Sequence, residues 1–142
     1  MKVRDIMKIL EKDMKVAIFS TADENNQPHA RPIHIGVADE NGVFFMTSPK
    51  TNFYQQLENN QKIAITGLLE DGYLIQVIRI TGNVRKVGKE KLQELLDNNP
   101  YVEQVYPEES DQQGAQVFQL YEGEGFYHSV SQGHKYTFEI GK

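Results

Sequence analysis

Arg31 and the run Thr47-Ser48-Pro49-Lys50-Thr51-Asn52 are the residues of this chain best suited to holding an anion. A phosphate presents several acceptor oxygens. Arginine meets them with a planar fork of donors, and lysine with a compact point charge. Thr47, Ser48 and Thr51 add hydroxyl donors. The run opens onto Asn52 to Asn59, a segment made amphipathic by Phe53, Tyr54 and Leu57. The first N–H groups of such a helix have no partner inside it and favour negative charge beyond its start. Each part also has a plainer reading. Ser48-Pro49 is an ordinary helix cap with proline in the first turn. An arginine on a strand is commonly solvated or in a simple ion pair. By strand alternation Arg31 shares a face with His29, Ile33 and Ile35, so on an apolar-leaning face it would need a counter-ion.

Other side chains offer less. His29 and His34 are an odd number of residues apart, so a regular strand points them to opposite faces. With His128 and His134 they form no His-X-His or His-X-X-X-His pair, and no native metal is expected. Ser129 and Ser131 beside His128 read as a polar strand end and not as part of a nucleophilic triad. Glu122-Gly123-Glu124-Gly125 lacks the spacing of a nucleotide-binding fingerprint and reads as a turn. Phe44, Phe45, Phe53, Tyr54 and Tyr73 would either stack on a planar ligand or fill the core, with core packing favoured. Alternation sends Phe44 and Phe45 to opposite faces, and likewise Gln76 and Arg79.

The elements follow from periodicity. Val3, Ile6, Met7, Leu10 and Met14 make a helical stripe. Val16 to Thr21 is a buried strand, Asp23 to Pro28 a turn, and His29 to Val37 a second strand. Asp39-Glu40-Asn41-Gly42 is a hairpin signal leading into a third strand, Val43 to Thr47. After the helix Asn52 to Asn59, strands run from Lys62 to Leu69 and from Tyr73 to Val87, the latter bent near Gly82. Lys89 to Leu96 is a helix ended by Asp97 to Pro100, and Tyr101 to Tyr106 is a short helical turn. Pro107 to Ala115 reads as a polar, mobile loop. Gln116–Tyr121, Gly125–Val130 and Lys135–Ile140 complete the strands. Many short antiparallel strands with peripheral helices predict an α+β protein built on a small barrel.

A chain of 142 residues supports one domain, 1–142, with a real core. No cysteine is present, which excludes disulfides, thiolate catalysis and cysteine-based zinc sites. The net charge of −5 argues against a nucleic-acid binder. No apolar run approaches the roughly 18–20 residues of a membrane span. The charged N-terminus lacks an apolar signal-peptide core. A cytoplasmic protein that binds neither membrane nor nucleic acid is expected.

In order and spacing, "QPHARPI", "GVFFMTSPKTNFYQQLENNQKIAI", "IRITGNVR" and "LLDNNP" resemble the pyridoxamine 5'-phosphate oxidase-like family of FMN-binding split barrels. The likeness spans almost the whole chain and is strongest to the short members of unassigned activity. It implies a small antiparallel split β-barrel, a homodimer, and FMN held in a groove at the dimer interface. By that resemblance Arg31 pairs with the FMN phosphate, and Pro32 and Ile33 offer backbone to the flavin ring. Met46 and Thr47 line the pocket, and Lys50, Thr51 and Asn52 close the phosphate loop. Gln76 or Arg79 would approach the ring. Asn52 and Phe53 stand where relatives commonly carry Arg or Lys, leaving Arg31 and Lys50 to neutralise most of the charge. The C-terminal extension of true pyridoxamine-phosphate oxidases is not expected in this chain, so neither is pyridoxal formation. The implied function is a flavin-dependent oxidoreductase with unknown substrate. The alternatives are a flavin or deazaflavin binding module without turnover, and a ligand-free barrel used for association.

Overall fold

The computed structural model describes residues 1–141. The chain opens with helix α1 (Val3–Lys8), which continues through Ile9–Met14 in the wider π geometry; Lys15 N–H closes the last turn on the Leu10 carbonyl. The stripe seen in the sequence buries Ile6, Met7 and Leu10. The strands are β1 (Val16–Ala22), β2 (Pro28–His34), β3 (Val37–Asp39), β4 (Gly42–Thr47), β5 (Lys62–Asp71), β6 (Leu74–Val87), β7 (Gln116–Ser129) and β8 (His134–Ile140). The further helices are α2 (Asn52–Asn59), α3 (Leu92–Asn98, entered through a 3-10 turn), α4 (Val102–Val105) and α5 (Glu109–Gly114).

All strand pairs are antiparallel, in the order β2-β1-β5-β6-β7-β4-β3, with β8 beside β7. The two ends of this path, β2 and β3, are joined by only Ile35 and Gly36. Three Cα steps span at most about 10 Å, so the sheet must curl until its edges nearly meet. That is a split barrel, with the main core inside the curl. There Phe45 meets Phe19 edge-on at 4.8 Å and stacks on Phe53 and Phe118 at 5.7 and 5.9 Å. Burying each such ring contributes about 1.5–3 kcal/mol. Phe44 points the other way, into a second cluster with Leu92, Leu95, Leu96 and Val117 beneath α3.

Three expected boundaries are corrected. The run His29–Val37 is not one strand. Ile35 leaves β2 by donating its N–H to the Lys15 carbonyl, and Leu95 of α3 sits where a Cβ on Gly36 would be. Glu122–Gly125 is not a turn but the middle of the continuous strand β7. Gly123 faces Gly82 across a bulge at Asn83/Val84, and a Cβ on either would strike the other strand's backbone at 2.2–2.3 Å. Glycine here permits the tight curl rather than a reversal. The polar stretch before β7 contains α5 instead of being a loop throughout.

Candidate functional site

β1 and β2 set the first part of the site. Their register pairs Phe19 with Arg31, which brings the Arg31 side chain over the end of β1 toward α2. One guanidinium nitrogen donates to the Thr21 hydroxyl at 2.7 Å and the Phe19 carbonyl at 3.3 Å. The other donates to Gln56 Oε1 at 2.7 Å. The Thr21 hydroxyl also donates to Gln56 Oε1, at 2.5 Å. The guanidinium carbon lies 4.6 Å from the Phe53 ring centroid, a cation–π seat. Phe53 and Gln56 are three residues apart and so share a face of α2.

Every partner of Arg31 is neutral, and no carboxylate balances it among the described residues. Burial alone pushes its pKa below the ordinary value. A half-buried cation held by neutral acceptors keeps its charge uncompensated, and two of its five N–H donors stay free for an anion.

The start of α2 supplies the second part. Thr51 caps the helix, its hydroxyl accepting from Tyr54 N–H at 3.0 Å and donating to the Ser48 carbonyl at 2.9 Å. Buried Thr47 lies 2.9 Å from the same hydroxyl. With Thr51's proton on Ser48, Thr47 is the donor of that pair, so both hydroxyl protons serve the loop itself. The backbone N–H groups of Asn52 and Phe53 have no partner among the described residues. The basic side chains missing at these positions therefore leave two main-chain donors in place.

Lys50 falls outside this arrangement. Its amine, on a side chain 81% exposed, pairs with Asp111 of α5 at 3.2 Å. Pro32, Ile33 and Met46 come together instead in one cavity of about 290 Å³, walled on its far side by residues of α3 and α4. Of the two residues expected near a ring on β6, Gln76 is buried and donates to Tyr127 Oη at 2.8 Å. Arg79 lies on the outer face of the sheet, 5.1 Å from the Phe126 ring, in a shallow cavity of about 800 Å³.

The remaining candidates are accounted for locally. His29 contacts Asp23 at 2.9 Å, and His128 lies 5.9 Å from Phe126. Ser131 accepts from Ile75 N–H and donates to the Tyr73 carbonyl, tying two hairpin tips together. The sequence reading missed Thr21 and Gln56. The only signal was indirect: Gln56 follows Phe53 by three, and Thr21 lies two residues beyond Phe19, the register partner of Arg31.

The set of donors fits a phosphomonoester: one uncompensated guanidinium and two unpartnered N–H groups at the start of the helix it packs against. The whole-chain comparisons agree with the architecture. A Clostridium acetobutylicum protein of the NimC/NimA family aligns at 24% identity over 97% of this chain and 92% of its own, with a TM-score of 0.78. A second C. acetobutylicum protein, related to general stress protein 26 of the pyridoxinephosphate oxidase family, aligns at 18% identity over 96% and 92%, with a TM-score of 0.71. HutZ, a heme storage protein from Vibrio cholerae, aligns at 13% identity over 97% and 94%, with a TM-score of 0.63. No curated protein sequence matches the chain. Residues 4–127 match the family model described as pyridoxamine 5'-phosphate oxidase, and the chain belongs to that family.

Proposed function

We propose that this protein binds FMN as a cytosolic homodimer and serves as a flavin-dependent oxidoreductase. The observation that carries the reading is Arg31: a half-buried guanidinium with only neutral partners, packed on Phe53 and Gln56 of the helix whose first N–H groups, at Asn52 and Phe53, have no partner. Arg31 and those N–H groups would hold the phosphate, with Thr47 and Thr51 fixing the loop. Pro32, Ile33 and Met46 would seat the ring edge. Lys50 would join only by leaving Asp111. FMN, when bound, supplies the electron-transfer chemistry. The residues of this chain contribute position, charge and exclusion of water, and no side chain is assigned as acid or base.

The test is the visible spectrum of the purified protein, followed by titration with FMN and with riboflavin. Quenching of flavin fluorescence, tighter for FMN than for riboflavin, is expected. Sedimentation should give a dimer, and FMN should raise the melting temperature because it binds only the folded state. A colourless protein that leaves FMN fluorescence unchanged at high concentration would end this reading. The fold similarity to HutZ makes hemin the control ligand, and preferential hemin binding would count against FMN. Bound FMN that neither NADH nor NADPH reduces anaerobically would favour a binding module without turnover.

A further inference from the structure

Side chains on the outer face of the sheet, where Arg79 lies, stand in rows across the strands. Residues paired in an antiparallel register share a face, so the registers place three rows there. The first is Ala64, Thr81, Glu124 and Glu139, on β5 to β8 in turn. The middle row is Ile18 of β1, then Thr66, Arg79, Phe126 and Thr137. The last is Leu68, Val77, His128 and Lys135. Charge is segregated between them. The first row sets two carboxylates directly opposite each other, an arrangement that repels. The last row ends in the ammonium of Lys135. First and last rows are about 13 Å apart along each strand, and neither Glu124 nor Lys135 has an ion-pair partner among the described residues. Relief is segregated in the same way. The shallow cavity of about 800 Å³ is lined from the first and middle rows, and no residue of the last row belongs to it. The face is therefore hollow under the first row and higher at the last, where Leu68 is 60% exposed. Ile18, in the middle row, adds a second large apolar side chain in contact with water.

We infer that this face docks on the same face of a second copy of the chain, about a two-fold axis running along the middle row. That rotation keeps each strand's place across the face and reverses the order of the rows. The first row of each copy then meets the last row of the other, and the contact occurs twice, as in any isologous pair. Lys135 comes over the second copy's Glu124 and Glu139, and Leu68 enters the hollow beside the second copy's Ala64. A two-fold axis along the strands would set carboxylates on carboxylates, and their repulsion disfavours it. The inference rests on the homodimer of the proposed reading and names its face and its pairing. It assigns Arg79 no contact with flavin.

Sedimentation over a concentration series, on the full chain without added FMN, gives the dimer dissociation constant. Lys135→Glu brings a carboxylate over the second copy's Glu124 twice per dimer and should raise that constant by about tenfold or more. Adding Glu124→Lys to the same chain should return it to within about threefold of the starting value, the signature of a direct pair. Leu68→Lys tests the apolar contact separately and should weaken the dimer by about tenfold. All three positions are exposed, and an unchanged melting curve by circular dichroism checks that each variant folds. A chain that stays monomeric at high concentration overturns the inference. So does a constant that ignores Lys135→Glu, or one that Glu124→Lys fails to restore. FMN binding is read separately by its fluorescence. Dimerisation that follows the charge swap in a protein that ignores FMN supports the inference while removing the flavin reading. Tight FMN binding by a protein whose dimer ignores all three variants keeps the flavin reading and overturns this one.

Discussion

Two arginines of this barrel each lie over a phenylalanine, and they are in very different positions. Arg31 is 4.6 Å from the Phe53 ring centroid and is fixed by Thr21, Gln56 and a carbonyl. Arg79 is 5.1 Å from Phe126, exposed on the outer sheet face, in a cavity almost three times larger than the one beside Pro32. Cavity size alone would favour Arg79. Chemistry favours Arg31, because a preformed set of donors loses less entropy on meeting an anion than a mobile side chain does. The Arg79 face instead carries the half-exposed Ile18 and Leu68 across the same sheet.

The sharpest way to break this contrast is to remove each cation in turn. Arg31→Ala should lower FMN affinity by about 10- to 100-fold, since charge-assisted hydrogen bonds are worth about 1.5–3 kcal/mol each. The same variant should erase the preference for FMN over riboflavin, which isolates the phosphate contribution. Arg79→Ala should leave that preference unchanged, whatever it does to dimerisation. If Arg79→Ala alone abolished the preference, the assignment of the phosphate seat would be reversed.

Gln56 sharpens the comparison from the other side, because it holds Arg31 without touching an anion. Gln56→Leu leaves Thr21 as the remaining side-chain anchor. A loss of about 1–2 kcal/mol in denaturant unfolding is expected, together with a several-fold drop in FMN affinity. Lowered affinity with unchanged stability would mean that Gln56 meets the ligand itself.

Much of this arrangement was legible in the sequence. The helix stripe, the strand alternation and the split of Phe44 from Phe45 follow from period, because packing in a curled sheet obeys period 2. Arg31 and the α2 start were visible as a pair. Two features were not. The Lys50–Asp111 pair joins residues 61 apart, and nothing in local pattern shows that α5 forms or where it lies. The break at Ile35–Gly36 is forced by closure of the barrel and by Leu95, a tertiary demand that overrides an otherwise continuous β pattern.

A smaller effect concerns His34, whose charged form is disfavoured first by burial and then by Lys15. Glu11, Lys12 and Asp97 line the polar cavity on its other side, and Tyr101 borders its ring. A depressed folded pKa means the native state binds fewer protons than the unfolded chain. This contribution is present above the ordinary histidine range near 6.5 and is lost as pH falls through the lower folded value. Stability measured from pH 7.5 to 5 should therefore decline on the acid side, and His34→Gln should flatten that decline. FMN selectivity over riboflavin should follow the second ionisation of the FMN phosphate, at about pH 6, and not His34, so His34→Gln should leave the pH profile of that selectivity unchanged.

The least effect is expected at Lys50, a third cation that tests whether charge alone makes a site. Its partner Asp111 lies on a short helix, and Lys50 itself is 81% exposed. Exposed pairs are worth about 0–1 kcal/mol, so Asp111→Asn should change unfolding stability by no more than about 0.5 kcal/mol. What the variant does to FMN binding is more informative. If Lys50 is a spectator, affinity stays constant and its salt dependence is unaltered. If Lys50 is a reserve cation held away by Asp111, freeing it should tighten FMN a few-fold at low salt, and Lys50→Ala in the same background should reverse the gain. The second result would show that the seat, built around Arg31, is tuned by α5, whose Asp111 lies 61 residues beyond Lys50.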